Sequence, residues 1–221
     1  MARLFVHTGP DFLEADTAAI LAAPLTVCAW VRTNNLAQDQ VALSLSDKDL
    51  TNHFFQLRFN SGGNNVHWGT RSGGDPIQVA ATSTNVSVNT WHHYTGVEAA
   101  TDDRRVYLDG GGKGTNSGIR TPVGLDRTTI GRAGDATPTR EMRGDIAHVA
   151  IWNIALTDLE IAILAAGISP LCIQRDALIG YWPVGGQSPE LDVVGGINLT
   201  INGTPAQSQE PPIPHSIVAP G

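Results

Sequence analysis

Trp91-His92-His93-Tyr94-Thr95-Gly96-Val97 runs into a turn at Thr101-Asp102-Asp103 and returns as Arg105-Val106-Tyr107-Leu108-Asp109-Gly110. β-Branched and aromatic residues bounded by Asp and Gly are the composition of paired hairpin strands. Val106 and Leu108 alternate with Arg105, Tyr107 and Asp109, which predicts one dry and one wet face. Further on, Gly144-Asp145-Ile146-Ala147-His148-Val149-Ala150-Ile151-Trp152-Asn153 has apolar residues on both parities. That pattern predicts a central strand covered on both faces.

Outward from this stretch the chain keeps an all-β rhythm. Leu4 to His7 is a short opening strand, and Leu25 to Arg32, with Trp30, is a buried one. Val41 to Ser46 follows. In His53 to Phe59, Phe55, Leu57 and Phe59 alternate with Gln56 and Arg58, predicting one wet face. Val66 to Thr70, Ile77 to Ala80, Leu178 to Pro183 and Leu199 to Ile201 complete the strands. Gly110 to Gly118 reads as a flexible connection. It lacks the Gly-Lys-Ser/Thr ending of a phosphate loop and opens no helix. The helix starts at Thr157, where Thr157 and Glu160 form a capping box, Leu156 and Ile161 a staple, and Gly167 with Pro170 the stop. Leu159, Ile163 and Leu164 are its expected apolar stripe, lidding one end of the sandwich. Residues 1–204 read as one domain and residues 205–221, with five prolines, as an extended tail.

The segments Trp-His-His, Arg-Val-Tyr-Leu-Asp-Gly, Thr-Ile-Gly-Arg (129–132) and Gly-Asp-Ile-Ala-x-Val-x-Ile-Trp-Asn, with the helix entry at Ala155 to Ile161, together resemble the laminin-G-like, concanavalin A-like lectin/glucanase family. The resemblance spans roughly Leu4 to Leu199. It implies an antiparallel β-sandwich jelly roll with one short helix. The chain also looks like the stand-alone versions found among bacteriophage structural proteins.

Composition narrows the function. A net charge of -7 argues against a nucleic-acid partner, although eight of the fourteen basic residues (Arg104, Arg105, Lys113, Arg120, Arg127, Arg132, Arg140, Arg143) share one stretch. Six acids interleave with them, so a solvated mixed-charge face is expected. No apolar run reaches membrane-spanning length and no secretion signal is visible. Cys28, inside an apolar strand, reads as a buried thiol rather than half of a disulfide with Cys172.

The resemblance includes glycoside hydrolases, which need two carboxyl groups flanking the scissile bond. The strand that would carry them offers Arg143, Asp145 and Ala147 on one parity, and Gly144 makes Glu141 a poor recruit. No catalytic residue is assigned. His92 and His93 are adjacent and point to opposite faces, and His7, His53, His67, His148 and His215 show no ligand spacing, so no metal is assigned. Calcium occurs in relatives of this kind; the loop acids Asp11, Asp109 and Asp135 form no dense cluster, and no cofactor is expected. Trp68, Tyr107 and Tyr181 are possible sugar platforms, with a core position the preferred reading of each. Ligand-binding residues stay unassigned. The resulting expectation is a non-catalytic structural or binding module on a phage virion, decorating a capsid or tail. Its expected partners are virion proteins and further copies of itself. The alternative is a soluble lectin-like module for cell-surface glycans.

Overall fold

The computed structural model describes residues 1–6 and 11–213. Two antiparallel sheets form a sandwich. Along the first lie, edge to edge, β10 (Gly111–Asn116), β9 (Asp103–Leu108), β8 (His92–Ala100), β3 (Leu25–Thr33), β12 (Gly144–Trp152), β1 (Ala2–Phe5) and β15 (Ala206–Ser208), with β13 (Leu178–Trp182) also paired to β12. The second runs β14 (Thr200–Asn202), β2 (Phe12–Ala15), β11 (Arg127–Ile130), β4 (Gln40–Ser46), β5 (Phe54–Asn60), β6 (Asn65–Arg71) and β7 (Gln78–Ala81). Between them Phe5, Val27, Leu43, Phe55, Trp68 and Val149 build the main core.

The central strand is where the sequence placed it. β12 pairs with β3 on one side and with β1 and β13 on the other, and eight of its nine residues are buried. Its parity, however, is broken. A bulge between Ala147 and Ala150 holds His148 at φ 50°, so Ile146 and Val149 both reach the main core although they lie on opposite parities.

Helix α1 (Asp158–Ala165) begins at the capping box, with Thr157 and Glu160 satisfying each other's backbone amides. It does not lid an end of the sandwich. It lies on the outside of the first sheet, where Ile161 and Leu164 join Cys28, Tyr107, Trp152 and Leu178 in a second apolar layer. Leu159 is 69% exposed, because the cap fixes a phase in which Ile161 and Leu164, three residues apart, face the sheet. This layer also dries the middle of the β9 face expected to be wet: Tyr107 is 1% exposed, and its hydroxyl donates to Asp158 at 2.7 Å, while Arg105 stays half-buried and Asp109 exposed.

Two further expectations change. The glycine run 110–118 contains β10, an edge strand paired to β9 through a bulge. Its glycines permit close approach: a Cβ on Gly114 would sit 1.7 Å from the Ala81 carbonyl oxygen. The segment after Thr204 is not simply a free tail. Ala206–Ser208 pairs with β1, Arg3 reaches the Pro205 carbonyl and the buried Glu190, and Ile213 packs with Ala2, Trp30 and Ala147. Unpaired backbone at the β1 edge is what recruits it. A deletion meant to spare the domain must therefore begin beyond Ile213, not at Pro205. The last prolines, Pro214 and Pro220, and the histidines His7 and His215 lie outside the described residues.

Gly96 of β8 shows how tightly the layers meet. A Cβ there would lie 2.4 Å from the Trp68 ring, which stacks on Phe55 at 5.8 Å and donates its Nε1–H to Glu98 at 2.8 Å. The indole is held from both sides and cannot yield. Gly96→Ala should cost about 1–3 kcal/mol by overpacking, measured by urea denaturation; a cost near zero would mean the two sheets slide apart easily.

Candidate functional site

The residues proposed as sugar platforms are core residues. Trp68 is fully buried, Tyr107 lies under α1, and the Tyr181 hydroxyl pairs with His148 Nδ1 at 2.6 Å. Among the described aromatic residues only Trp91 escapes the buried class, and the Arg32 guanidinium covers its ring at 5.4 Å. Recognition by an open aromatic face is therefore not what this surface offers.

Its polar groups converge elsewhere, on the outer face of the second sheet. Antiparallel register aligns Thr200, Glu14, Thr129, Ser44, Gln56 and Gly69 in one row across six strands. The loop between β11 and β12 folds over the middle of this row. Gly134 lies directly on it, since a Cβ there would meet Thr129 Oγ1 at 2.3 Å and Ser46 Oγ at 2.7 Å. This roof explains why Gln56 and Arg58, expected on a wet face, are 0% and 8% exposed. On this face Ser46 Oγ, Gln56 Oε1, Arg58 Nε and Thr129 Oγ1, and in the loop itself Arg132 Nε, are buried without hydrogen-bond partners among the described residues. Buried polar atoms are rarely left so, which makes this face unusual.

At the edge of the row opens a polar cleft of about 240 Å³, lined by Glu14, Ala15, Asp16, Thr200 and Asn202. Arg127 holds Asp16 at 2.8 Å, and Arg132, stacked on Phe12, holds Glu14 at 3.2 Å. Both carboxylates keep lone pairs free for the cleft, Thr200 adds a hydroxyl, and the Asn202 amide nitrogen has no partner among the described residues. Alternating acceptors and donors on fixed strands suit hydroxyl groups. At the opposite end of the face Arg58, His67, Asp39 and Arg140 cluster; burial, with the Arg58 charge, lowers the His67 pKa to about 4 and keeps the ring neutral.

The remaining sequence candidates have structural tasks. Asp11 accepts from the amides of Val6 and Thr204, Asp109 from the amide of His93 while pairing with His92, and Asp135 from the amide of Asn52. Asp145 pairs with Arg32 at 2.8 Å. His92 and His93 do face opposite ways, His92 toward Asp109 and His93 against Trp30. Cys28 is a free buried thiol, pushed up to about 12 by desolvation, and Cys172 is free and exposed. Of the basic stretch, Arg105, Lys113, Arg120, Arg127 and Arg132 pair with acids, as expected of a mixed-charge face, whereas Arg104 is fully buried. One carboxylate group with metal-ligand spacing, Asp47, Asp49 and Asp126, was invisible in sequence because a loop far along the chain supplies its third member. Lys48 bridges Asp49 at 3.0 Å and Asp126 at 2.6 Å, so an ammonium already supplies the positive charge there.

The chain belongs to the concanavalin A-like lectin/glucanases superfamily, with the Laminin_G_3 family model matching residues 8–162. No curated protein matches it in sequence. In fold it is similar to a putative carbohydrate binding protein from Bacteroides ovatus, with a TM-score of 0.66 and 18% identity over 95% of this chain and 60% of that one. The chain thus spans about 60% of that relative's length. It is also similar to domain 4 of AbnA, an extracellular arabinanase from Geobacillus stearothermophilus, solved with arabinotriose (TM-score 0.57, 18% identity, 67% of this chain and 70% of that one). A third likeness is to the CBM40 of the Ruminococcus gnavus IT-sialidase bound to α2,3 sialyllactose (TM-score 0.55, 14% identity, 66% and 84%). At such identities these likenesses establish the shared fold.

Proposed function

We propose that the protein is a non-catalytic, lectin-like module that binds carbohydrate in the cleft at the edge of the second sheet. The observation that carries this reading is the cleft itself: two arginine-held carboxylates and the side chains of Thr200 and Asn202 line about 240 Å³ of open space. The carbohydrate-binding proteins among its fold relatives support the same reading. Each carboxylate is held by an arginine as a hydrogen-bond acceptor, an arrangement that suits recognition. The phage-particle setting, with capsid partners and self-association, has its support in the sequence resemblance alone. A decorating protein can also adhere, so that setting would add to sugar binding and not replace it.

The test is a glycan panel followed by calorimetry. A hydrogen bond to the charged Asp16 contributes enough that Asp16→Ala should weaken a retained glycan about tenfold or more, and loss of the neutral Asn202 amide about threefold to tenfold, with the thermal transition unchanged. A blank panel, or variants that bind like the parent, would overturn the assignment.

A further inference from the structure

We propose that the cleft at the edge of the second sheet selects neutral sugars through their hydroxyl donors and turns away sugars that carry a carboxylate. This preference rests on the carbohydrate-binding function proposed above and adds the class of sugar to it.

The cleft presents acceptors. Glu14 of β2 and Asp16, just past the end of that strand, line it together with Ala15 and with Thr200 and Asn202 of β14. Arg127 donates to Asp16 Oδ1 at 2.8 Å, and Arg132 to Glu14 Oε2 at 3.2 Å. The second oxygens, Asp16 Oδ2 and Glu14 Oε1, take no hydrogen bond from the described residues. Side-chain exposure runs the same way, at 57% for Asp16 and 20% for Glu14 against 16% for each arginine. Neither arginine lines the cleft, and the Arg132 guanidinium lies over the Phe12 ring at 3.2 Å. A ligand therefore meets the negative ends of two ion pairs, with the positive ends behind them. An ionised carboxylate only accepts, so its partner must donate. A sugar hydroxyl does so in a short, charge-assisted bond, which a uronate or sialate carboxylate cannot make.

Charge sharpens the choice. The two acids and two arginines cancel, so a neutral ligand leaves that balance intact. A ligand carboxylate would instead join two others with no cation in the cleft lining to meet it. Glu141, within electrostatic reach of Arg132, and the chain's net charge of -7 act in the same sense. At roughly 6 Å and a dielectric between those of water and a protein surface, one such repulsion changes affinity about tenfold.

The experiment uses the whole chain and a panel of paired glycans in which one member carries a carboxylate and the other does not, among them methyl galactoside with methyl galacturonoside and lactose with α2,3-sialyllactose. Calorimetry should find the neutral member bound about tenfold more tightly, with the gap narrowing as salt is raised. Asp16→Asn keeps an acceptor oxygen at an exposed position and leaves one arginine charge unbalanced, so its ratio should fall to within about threefold. Acidic members bound as tightly as neutral ones, or a ratio that Asp16→Asn leaves unchanged, would overturn the preference while the binding function stands. A panel on which no member binds would overturn both, so the two failures read differently.

Discussion

Arg104→Met is expected to lower the unfolding free energy by about 3–5 kcal/mol, the cost of leaving one member of a buried ion pair alone. Arg104 of β9 and Glu98 of β8 are 0% and 1% exposed, facing inward between the sheets. The guanidinium meets both carboxylate oxygens, Nη2 to Oε1 at 2.6 Å and Nε to Oε2 at 3.2 Å. Its remaining donors reach Asn116 Oδ1 at 2.8 Å and the carbonyls of Gly118 and Thr101. Glu98 accepts in addition from Trp68 Nε1 and Thr70 Oγ1. The network is satisfied throughout and ties β6, β8, β9 and β10 to one point. Burial pushes the Glu98 carboxyl up, and the Arg104, Trp68 and Thr70 bonds oppose that push. Without Arg104 the counterweight is mostly gone, so the variant's deficit should shrink toward acid pH as Glu98 takes up a proton. Adding Glu98→Gln to Arg104→Met should recover more than half of the loss, because the amide oxygen still accepts from Trp68 without a buried charge. Urea denaturation of both variants decides this. A single-variant cost below about 1 kcal/mol would mean that water reaches the pair.

The fold was readable where local rules coincide with tertiary ones. The apolar residues on both parities of β12 announced a doubly covered strand, and Thr157 with Glu160 announced the start of α1. What failed depended on partners far away in sequence. Nothing marks His148 as the bulge that puts Ile146 and Val149 on one side, since a left-handed histidine has no sequence signature. Leu159 looks as apolar as Ile161, and only the sheet beneath decides which is covered. Arg104 was legible in principle, sharing its parity with Val106 and Leu108, but its place in a charge-rich stretch disguised it. The cleft was not legible at all. Glu14 and Thr200 belong to strands from opposite ends of the chain and become neighbours only through the β14–β2 pairing.

Acidification supplies a second large effect. His93 is 1% exposed, packed edge-on against Trp30 at 5.3 Å, and burial lowers its pKa to about 4. Asp109 pulls the value up and His148 pushes it down, both less strongly than burial. Its Nδ1 meets the Thr95 hydroxyl at 3.3 Å, and the cavity beside it is lined by Cys28, Trp30, His148 and Tyr181, with no carboxylate among them to receive a protonated ring. In the unfolded chain the same imidazole titrates near about 6.5. Between these values the unfolded state binds a proton that the folded state refuses, so stability rises with pH across the window. The contribution is complete above about pH 6.5, declines as pH falls, and is lost below about pH 4; the whole step amounts to about 3 kcal/mol. His148 and His67, also lowered to about 4, steepen the same slope, less strongly because both are partly exposed. His93→Gln removes one titrating group and keeps a polar atom for Thr95. Its stability curve should run parallel to that of the parent above about pH 6.5 and be flatter by close to one proton below it. Parallel curves over the whole range would show that His93 reaches solvent when it protonates, and that the cavity under Trp30 opens in the folded protein.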